Sequence, residues 1–149
     1  MAAVVAVPFF MRDVLLTLKV GAGTAAEYQC FVSVAAIKVT AGDVVTVQTL
    51  CSDGTFSSVG KATYALALEG VQDWSATGLS AFLWANEGSE ADFVLNPYGE
   101  TITVPTTSTP AMTGVVTLAA GDFGGTINEY APFAVELPCA SKPVLKTAA

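Results

Sequence analysis

The sequence predicts a mainly β protein, an antiparallel sandwich or barrel with one short α-helix on its flank. Segments rich in valine, threonine and aromatic residues recur along the chain, and apolar and polar side chains alternate within them. Turn-forming stretches separate these segments, namely "TAGD", "SDGT", "PTTSTP" and "GDFGG". In one stretch only, the apolar residues are spaced three and four apart, which is typical of a helix. Short strands at regular spacing indicate a sandwich or barrel.

Eight strands are predicted from this alternation. The clearest is "KATYALALE", where Leu66 and Leu68 fall on one face and Ala65 and Ala67 on the other. We expect the eight strands near Val14–Val20, Tyr28–Val39, Val44–Cys51, Lys61–Glu69, Ala91–Asn96, Thr101–Val104, Ala111–Ala120 and Phe133–Leu137.

The single helix is predicted in the stretch "TGLSAFLWANE", residues 77–87. Thr77 is a suitable N-cap residue, and Gly88 stands where a helix would end. A helix of about ten residues cannot form a second layer. We therefore expect it to close an open edge of the sandwich and to bury one face, made of Leu79, Phe82 and Leu83.

Length and composition indicate a single domain with much of its surface covered by other subunits. The chain has 149 residues, and no domain boundary is evident, so residues 1–149 are expected to form a single domain. Only 13% of the residues are charged, and 52% are hydrophobic. Low charge weakens the usual protection against association, so we expect neighbouring subunits to cover part of the surface.

Charge and histidine content argue against nucleic-acid binding and catalysis. The net charge is −7 and no run of lysine or arginine occurs, so binding through phosphate neutralisation is not expected. The sequence contains no histidine, which removes the common triads and most zinc sites. The acids Glu87, Glu90 and Asp92 lack calcium-loop spacing and are interpreted as a solvated turn. No catalytic, cofactor or metal site is predicted, and an enzyme is not expected.

One motif, Gly21, Gly23 and Ala26, matches the G-x-G-x-x-A pattern of dinucleotide-binding loops, with Asp43 about twenty residues after its start. A dinucleotide site requires a helix directly after the motif. The following residues, "EYQCFVSVAAIKV", alternate with period two. The motif is therefore interpreted as a turn between strands.

The three cysteines, Cys30, Cys51 and Cys139, form no C-x-x-C pair and are interpreted as reduced thiols. Tyr28, Cys30, Val32 and Val34 are predicted to share the buried face of one strand, which makes Cys30 a core residue. A disulfide between Cys30 and Cys51 would require their strands to pair.

The two tryptophans, Trp74 and Trp84, could form a stacking platform for a sugar or base. Trp84 follows two residues of the predicted buried helix face. Packing in the core or at its rim is therefore the favoured interpretation.

The N-terminal stretch "MAAVVAVPFFMRD" is apolar but has no preceding positive region and is too short to cross a bilayer. With Pro8 in its middle, it is interpreted as an extended arm, about residues 1–13, that packs against something else. The last residues, about 138–149, are interpreted as a tail that is mobile unless a neighbour holds it. A soluble, unsecreted protein is expected, without a membrane partner.

Four stretches, "KATYALALEGVQDW", "GLSAFLWANEG", "STPAMTGVVTLAAGDFGG" and "FAVELPCASKP", resemble the major tail tube proteins of long-tailed phages with non-contractile tails. The resemblance covers roughly residues 28 to 143. It implies a small sandwich with one flanking helix. It also implies six-membered rings that stack into a tube, with strands of each subunit joining one continuous β-barrel lumen.

The resemblance also implies which segments contact neighbours. The loop Ser52–Gly60 would stack rings, through Asp53, Thr55, Phe56 and Ser57. The arm and the tail would reach adjacent subunits, through Val5, Val7, Phe9, Phe10, Pro143, Val144 and Leu145. A polar lumen face would carry Thr46, Gln48 and Thr49.

Partners implied by the resemblance are other copies of the chain and the tape measure, tail tip and tail terminator proteins. DNA would pass through the lumen without sequence-specific binding, which suits an acidic chain. The protein would reside in the virion and assemble in the host cytoplasm. The alternatives are another virion β-protein, such as a capsid decoration or tail-completion subunit, and a carbohydrate-binding sandwich.

Overall fold

The described part of the chain, residues 2–99 and 104–148 of this computed structural model, is built from ten strands and one α-helix. The predicted mainly β fold with one helix is confirmed. The elements are β1 Leu15–Val20, β2 Ala26–Glu27, β3 Val32–Thr40, β4 Val44–Gln48, β5 Thr55–Val59, β6 Thr63–Val71, α1 Leu79–Ala85, β7 Glu90–Asn96, β8 Ala111–Thr117, β9 Pro132–Pro138 and β10 Val144–Lys146.

These strands form two sheets and a separate hairpin, and every pairing is antiparallel. The large sheet has the order β10–β8–β7–β1–β2, and the small sheet has the order β3–β6–β9. The hairpin consists of β4 and β5 alone. An isolated bridge between Val116 and Cys139, with a hydrogen bond from Ala140 N–H to Val115 O (2.9 Å), links the two sheets.

The core lies between the inner faces of the two sheets. Alternation in β6 places Leu66 and Leu68 inward, as predicted, and both are fully buried. Each such leucine contributes about 1.5–3 kcal/mol relative to an exposed one. The other large buried side chains come from both sheets and from the helix, namely Leu16, Leu18, Phe93, Val116, Phe133, Leu137, Leu79 and Leu83.

The helix α1 is shorter than predicted, and its start is set by a glycine. Thr77 is not the N-cap; Gly78 is, and no side chain caps the helix. A Cβ at Gly78 would overlap the carbonyl oxygen of Asp73, so the close turn before the helix admits only glycine there. At the other end, Asn86 donates from its backbone and its side chain to the carbonyl of Phe82.

The predicted strand Tyr28–Val39 is wrong at its beginning. Residues 29–31 form a 3₁₀ turn, and the pairing of β3 with β6 shifts between Val32 and Val34. An irregularity of this kind inverts the faces of the residues around it. Cys30 is therefore exposed, not a core residue, and Val34 is exposed while Ala35 is buried.

The observed bounds of other strands also differ from the predicted bounds. The predicted strand Thr101–Val104 falls mainly on residues 101–103, which lie outside the described residues, while Val104 lies in a bend. The predicted strand Ala111–Ala120 ends at Thr117. The strands that the alternation did not reveal are β2, β5 and β10.

Candidate assembly surface

The β4–β5 hairpin extends outside both sheets. Its register runs from Val44 opposite Val59 to Gln48 opposite Thr55, and neither strand pairs with any other strand in the described chain. All ten residues of the two strands are exposed. A two-stranded hairpin alone is marginally stable in water. The hairpin therefore requires a further surface to hold it.

The root and the tip of the hairpin are fixed by backbone contacts. At the root, Gly60 N–H donates to Asp43 O (2.7 Å), and Gly42 approaches the backbone of Gly60 so closely that a Cβ would not fit. At the tip, Thr49 N–H donates to Gly54 O (2.6 Å). These contacts define where the hairpin leaves the sandwich.

The two faces of the hairpin differ in chemistry. On the face that we call the polar face, the Thr55 hydroxyl donates to Gln48 Oε1 (2.9 Å), and the hydroxyls of Thr46 and Ser57 are 3.4 Å apart. Cross-strand pairing places a residue and its partner on the same side of a ladder. The opposite face, the apolar face, carries Val45, Val47 and Phe56, with Ser58 opposite Val45.

The hairpin brings together residues that the sequence analysis assigned to different sites. The prediction that Thr55–Val59 lies in a loop is wrong, because these residues pair with β4. Thr55 and Ser57 share the polar face with Thr46 and Gln48, whereas Phe56 points the other way. The alternation in "TFSSV" after "SDGT" was the available signal. The ring-stacking and lumen roles of these residues remain predictions.

Two predicted site residues lie near the tip. Thr49 follows the end of β4 and is half-buried, with its side chain against Gly54. Asp53 lies in the turn and is exposed. The tip is therefore acidic and accessible.

The N-terminal arm has little contact with its own chain. Residues 2–13 are all exposed and form no helix or strand, and Val5 and Val7 are 85% and 90% exposed. Phe9 meets the ring of Tyr98 edge-on, with 6.1 Å between centroids, and Phe10 lies beneath the guanidinium of Arg12. Only the end of the arm is thus seated on this chain. Contact of the arm with neighbours remains a prediction.

The C-terminal tail is held by its own chain, whereas the sequence predicted a tail that is mobile unless a neighbour holds it. Strand β10 pairs with β8, with Val144 opposite Thr113 and Leu145 opposite Met112. Pro143 is buried, which leaves it no free surface for another subunit in this conformation. Val144 and Leu145 remain 57% exposed, and their contact with neighbours stays a prediction.

An aromatic cluster lies beside the helix. The ring centroids of Trp74 and Phe123 are 4.9 Å apart, those of Trp74 and Trp84 are 6.1 Å apart, and both pairs meet edge-on. Trp74 Nε1–H donates a hydrogen bond to Gln72 Oε1, and the same oxygen also accepts a hydrogen bond from the backbone N–H of Gly124. Trp84 is 59% exposed, so it packs at the rim and not in the core.

The glycine motif is a turn, as predicted. Gly21 has a positive φ of 55°, and the chain continues into β2 and the 3₁₀ turn, without an α-helix that could receive a pyrophosphate. Within residues 2–99 and 104–148, no group of three or more metal-ligating side chains is positioned to hold an ion. The described helix is also too short to cross a membrane.

The pKa values of a few groups are shifted by local structure. The Ser75 N–H donates to Asp73 Oδ1 (2.9 Å), which lowers the pKa of that carboxyl. Burial raises the pKa values of the Cys139 thiol and the Tyr28 hydroxyl. Such shifts occur at structural as well as functional positions. None of these groups belongs to a cluster of titratable side chains that suggests acid–base chemistry.

The whole fold is similar to that of a chain in the six-fold symmetrised cryo-EM structure of the anti-feeding prophage (AFP) baseplate. The TM-score is 0.60 at 11% sequence identity, and the match covers 96% of this chain and 98% of that chain. No protein-family model and no curated protein matches the sequence. At this identity the likeness shows the fold alone, over almost the entire length of both chains.

Proposed function

We propose that this chain is a structural protein of a phage-type tail and that it assembles into six-membered rings stacked into a tail tube. The observation that carries the proposal is the β4–β5 hairpin, which exposes an apolar and a polar face and, among the described residues, pairs with no other strand. A hairpin of this kind is stable when a neighbouring subunit covers it. Similarity to a chain of a six-fold symmetrised baseplate supports the proposed six-membered ring.

The distribution of exposed apolar residues also supports self-assembly. Many of them lie in two segments outside the core, whereas isolated exposed apolar residues would be ordinary; others lie elsewhere, as Phe123, Ile127 and Tyr130 do in the connection between β8 and β9. Both segments could be covered by adjacent copies without rearrangement of the sandwich. The two groups are Val4, Val5, Val7, Phe9 and Phe10 in the arm, and Val44, Val45, Val47, Leu50, Phe56 and Val59 in or beside the hairpin.

The polar face of the hairpin is our candidate for the lumen. Its side chains include three hydroxyls and an amide, with Val44 and Val59 at the root end of the same face, and the chain as a whole is acidic. Such a surface has no positive charge to neutralise the phosphates of DNA, so DNA would pass it without binding. In this proposal DNA is the cargo, and hairpins of adjacent copies cover one another's strand edges in a continuous barrel. The tape measure, tail tip and tail terminator proteins are the proposed further partners in the virion.

A second candidate is a tail protein that forms one ring and does not extend into a tube. The observation that favours it is the solved relative, which belongs to a baseplate. Both candidates use the same subunit contacts within a ring. They differ in whether a second ring binds to the first: rings stack in the tube candidate and do not stack in the single-ring candidate.

A charge and aromatic substitution in the hairpin tests the proposal. We expect Asp53→Lys combined with Phe56→Ser to abolish growth beyond single rings, because both changes alter the exposed hairpin and leave the core intact. Light scattering of the purified protein at rising concentration, with and without tail tips as seeds, measures growth. Glu87→Lys, a charge reversal at an exposed acid outside the hairpin, is the matched control and should grow normally.

The outcomes separate the candidates. Extended particles from the wild-type chain and none from the double variant support the tube and the role of the hairpin. Normal tubes from the double variant would reject ring stacking through Asp53 and Phe56. Single rings from the wild-type chain, even on seeds, would favour the baseplate-type candidate. A trimer or an inert monomer would reject both.

A further inference from the structure

A polar cleft lies where the hairpin root meets the segment that follows β9. One wall is formed by residues 61–64, at the start of β6, and the other by residues 139–142. The volume of the cleft is about 500 Å³. A hydrogen bond from Cys139 N–H to Tyr64 O (2.9 Å) joins the two walls. The backbone therefore holds the walls at a fixed separation.

Four side chains that donate hydrogen bonds line this cleft, and two of them are cations. They are Lys61 and Thr63 on one wall and Ser141 and Lys142 on the other, and all four are exposed. None of these four side chains has a hydrogen-bond or ion-pair partner within the described part of the chain. Asp43, which lies at the hairpin root, does not line the cleft. The donors are thus available to a ligand.

The charge of this cleft is opposite to the charge of the chain as a whole. The chain has thirteen acidic and six basic residues, yet two of the six bases and, among the described residues, no acid line the cleft. Cations in other clefts are accompanied by carboxylates. Arg12 lines a cleft together with Asp13, and Lys38 lines one together with Glu69 and Glu136. Two cations without a carboxylate favour an anionic ligand.

We propose that this cleft binds a small oxyanion of the phosphate type, with Lys61 and Lys142 as the cations and the hydroxyls of Thr63 and Ser141 as further donors. Phosphate matches these groups, because it is multiply charged and its oxygens accept several charge-assisted hydrogen bonds. Duplex DNA is bound through many phosphate contacts along an extended basic surface, which two lysines do not provide. The ligand is therefore the free ion and not a nucleic acid.

A bound ion would link two segments that are distant in the sequence. Lys61 directly follows Gly60 at the hairpin root, and Lys142 directly precedes the buried Pro143. The ion would thus attach the root of the hairpin to the segment after β9. This inference goes beyond the proposed function and does not depend on assembly.

Melting temperatures of the full chain in sodium phosphate test this site. Phosphate also stabilises folded proteins by exclusion from their surface, so variants are compared at constant ionic strength, with sodium chloride as the balancing salt. The test variants are Lys61→Met and Lys142→Met, which keep an apolar chain and remove the charge. The matched control is Lys38→Met, at an exposed lysine in the cleft that also contains Glu69 and Glu136.

We expect about 20 mM phosphate at about pH 7.5 to raise the Tm of the wild-type chain and of Lys38→Met by at least about 2 °C, because a ligand of the folded state stabilises it. Lys61→Met and Lys142→Met should each lose at least about half of this rise, since each loses a charged donor. Equal rises in all four proteins, or no rise in any of them, would overturn the site.

Fluorescence anisotropy of a labelled DNA duplex distinguishes the free ion from a phosphodiester. We expect the wild-type chain to leave the anisotropy of a duplex of about 12 base pairs unchanged, because the cleft offers only two cations. Duplex binding that Lys61→Met and Lys142→Met abolish would overturn the assignment to a free ion. Failure of the site in either experiment would leave the proposed function standing, since growth of the wild-type chain into particles is measured separately.

Discussion

At the scale of single residues, Phe56 and Ser57 show how the alternation of a strand separates two roles. They are adjacent in the sequence and lie on opposite faces of the hairpin. If both residues are treated as members of one loop, both are assigned the same function. Once β5 is recognised as a strand, the aromatic side chain lies on the apolar face of the hairpin and the hydroxyl on the polar face.

Gly42 is the residue whose replacement tests the position of the hairpin most directly. A Cβ at this position would overlap the backbone of Gly60, so Gly42→Ala must move the hairpin relative to the sandwich. We expect loss of assembly with only a small fall in melting temperature, because the hairpin lies outside the core. Gly121→Ala is the control, since its Cβ would meet only ordinary contacts with Phe133 and Val135. Normal assembly of Gly42→Ala would show that the position of the hairpin is unimportant.

Asp73 provides a prediction about pH. Its folded pKa lies below the ordinary value of 3.8, because the Ser75 N–H donates to the carboxylate. A lowered pKa stabilises the fold above the unfolded value, and this contribution disappears as the pH falls through the folded value. Melting temperatures between about pH 2 and pH 5 should therefore fall more steeply for the wild-type chain than for Asp73→Asn. Parallel curves would contradict the assignment.

At the scale of elements, the helix α1 closes the sandwich between β6 and β7. Leu79 and Leu83 enter the core cluster, while the half-buried Phe82 meets Tyr28 with 5.1 Å between ring centroids. This arrangement confirms that the predicted apolar face of the helix packs against the core. Its role is structural, since the face turned to solvent carries Trp84 and the aromatic cluster.

Truncation of Leu83 tests whether the buried face of the helix contributes more to stability than its exposed face. Leu83 is fully buried, so Leu83→Ala is expected to lower the free energy of unfolding by about 2–5 kcal/mol. Trp84→Ala removes a larger side chain at the exposed rim and should cost less than Leu83→Ala. Chemical denaturation of both variants measures the difference. A larger loss for Trp84→Ala would mean that the aromatic cluster, and not the core face, holds the helix.

The strands show how far local patterns in the sequence can specify this fold. Strands with one buried face, such as β1, β6 and β7, were predicted nearly at their observed bounds because alternation is strongest there. Alternation failed where the backbone is irregular, as at the 3₁₀ turn that exposes Cys30. It also missed β5, because the two apolar residues of this strand, Phe56 and Val59, lie on opposite faces and the alternation extends only from Thr55 to Ser57.

At the scale of the whole molecule, the sandwich differs from the hairpin and the arm in how it buries its apolar side chains. The core is closed by two sheets and a helix, whereas both projecting segments leave apolar side chains in water. The low charge and high apolar content of the sequence indicated that apolar side chains would be left outside the core. They could not reveal the small apolar groove on the surface, because this groove joins residues from the arm, β3, β7, β8 and β10 that are distant in sequence. Only the folded chain brings these residues together.

Negative-stain electron microscopy of the purified chain, alone and seeded with tail tips, tests the central claim most directly. The account predicts hollow tubes of uniform diameter whose end-on views show six-fold symmetry. Trimers, or a monomer that never extends a seed, would contradict it.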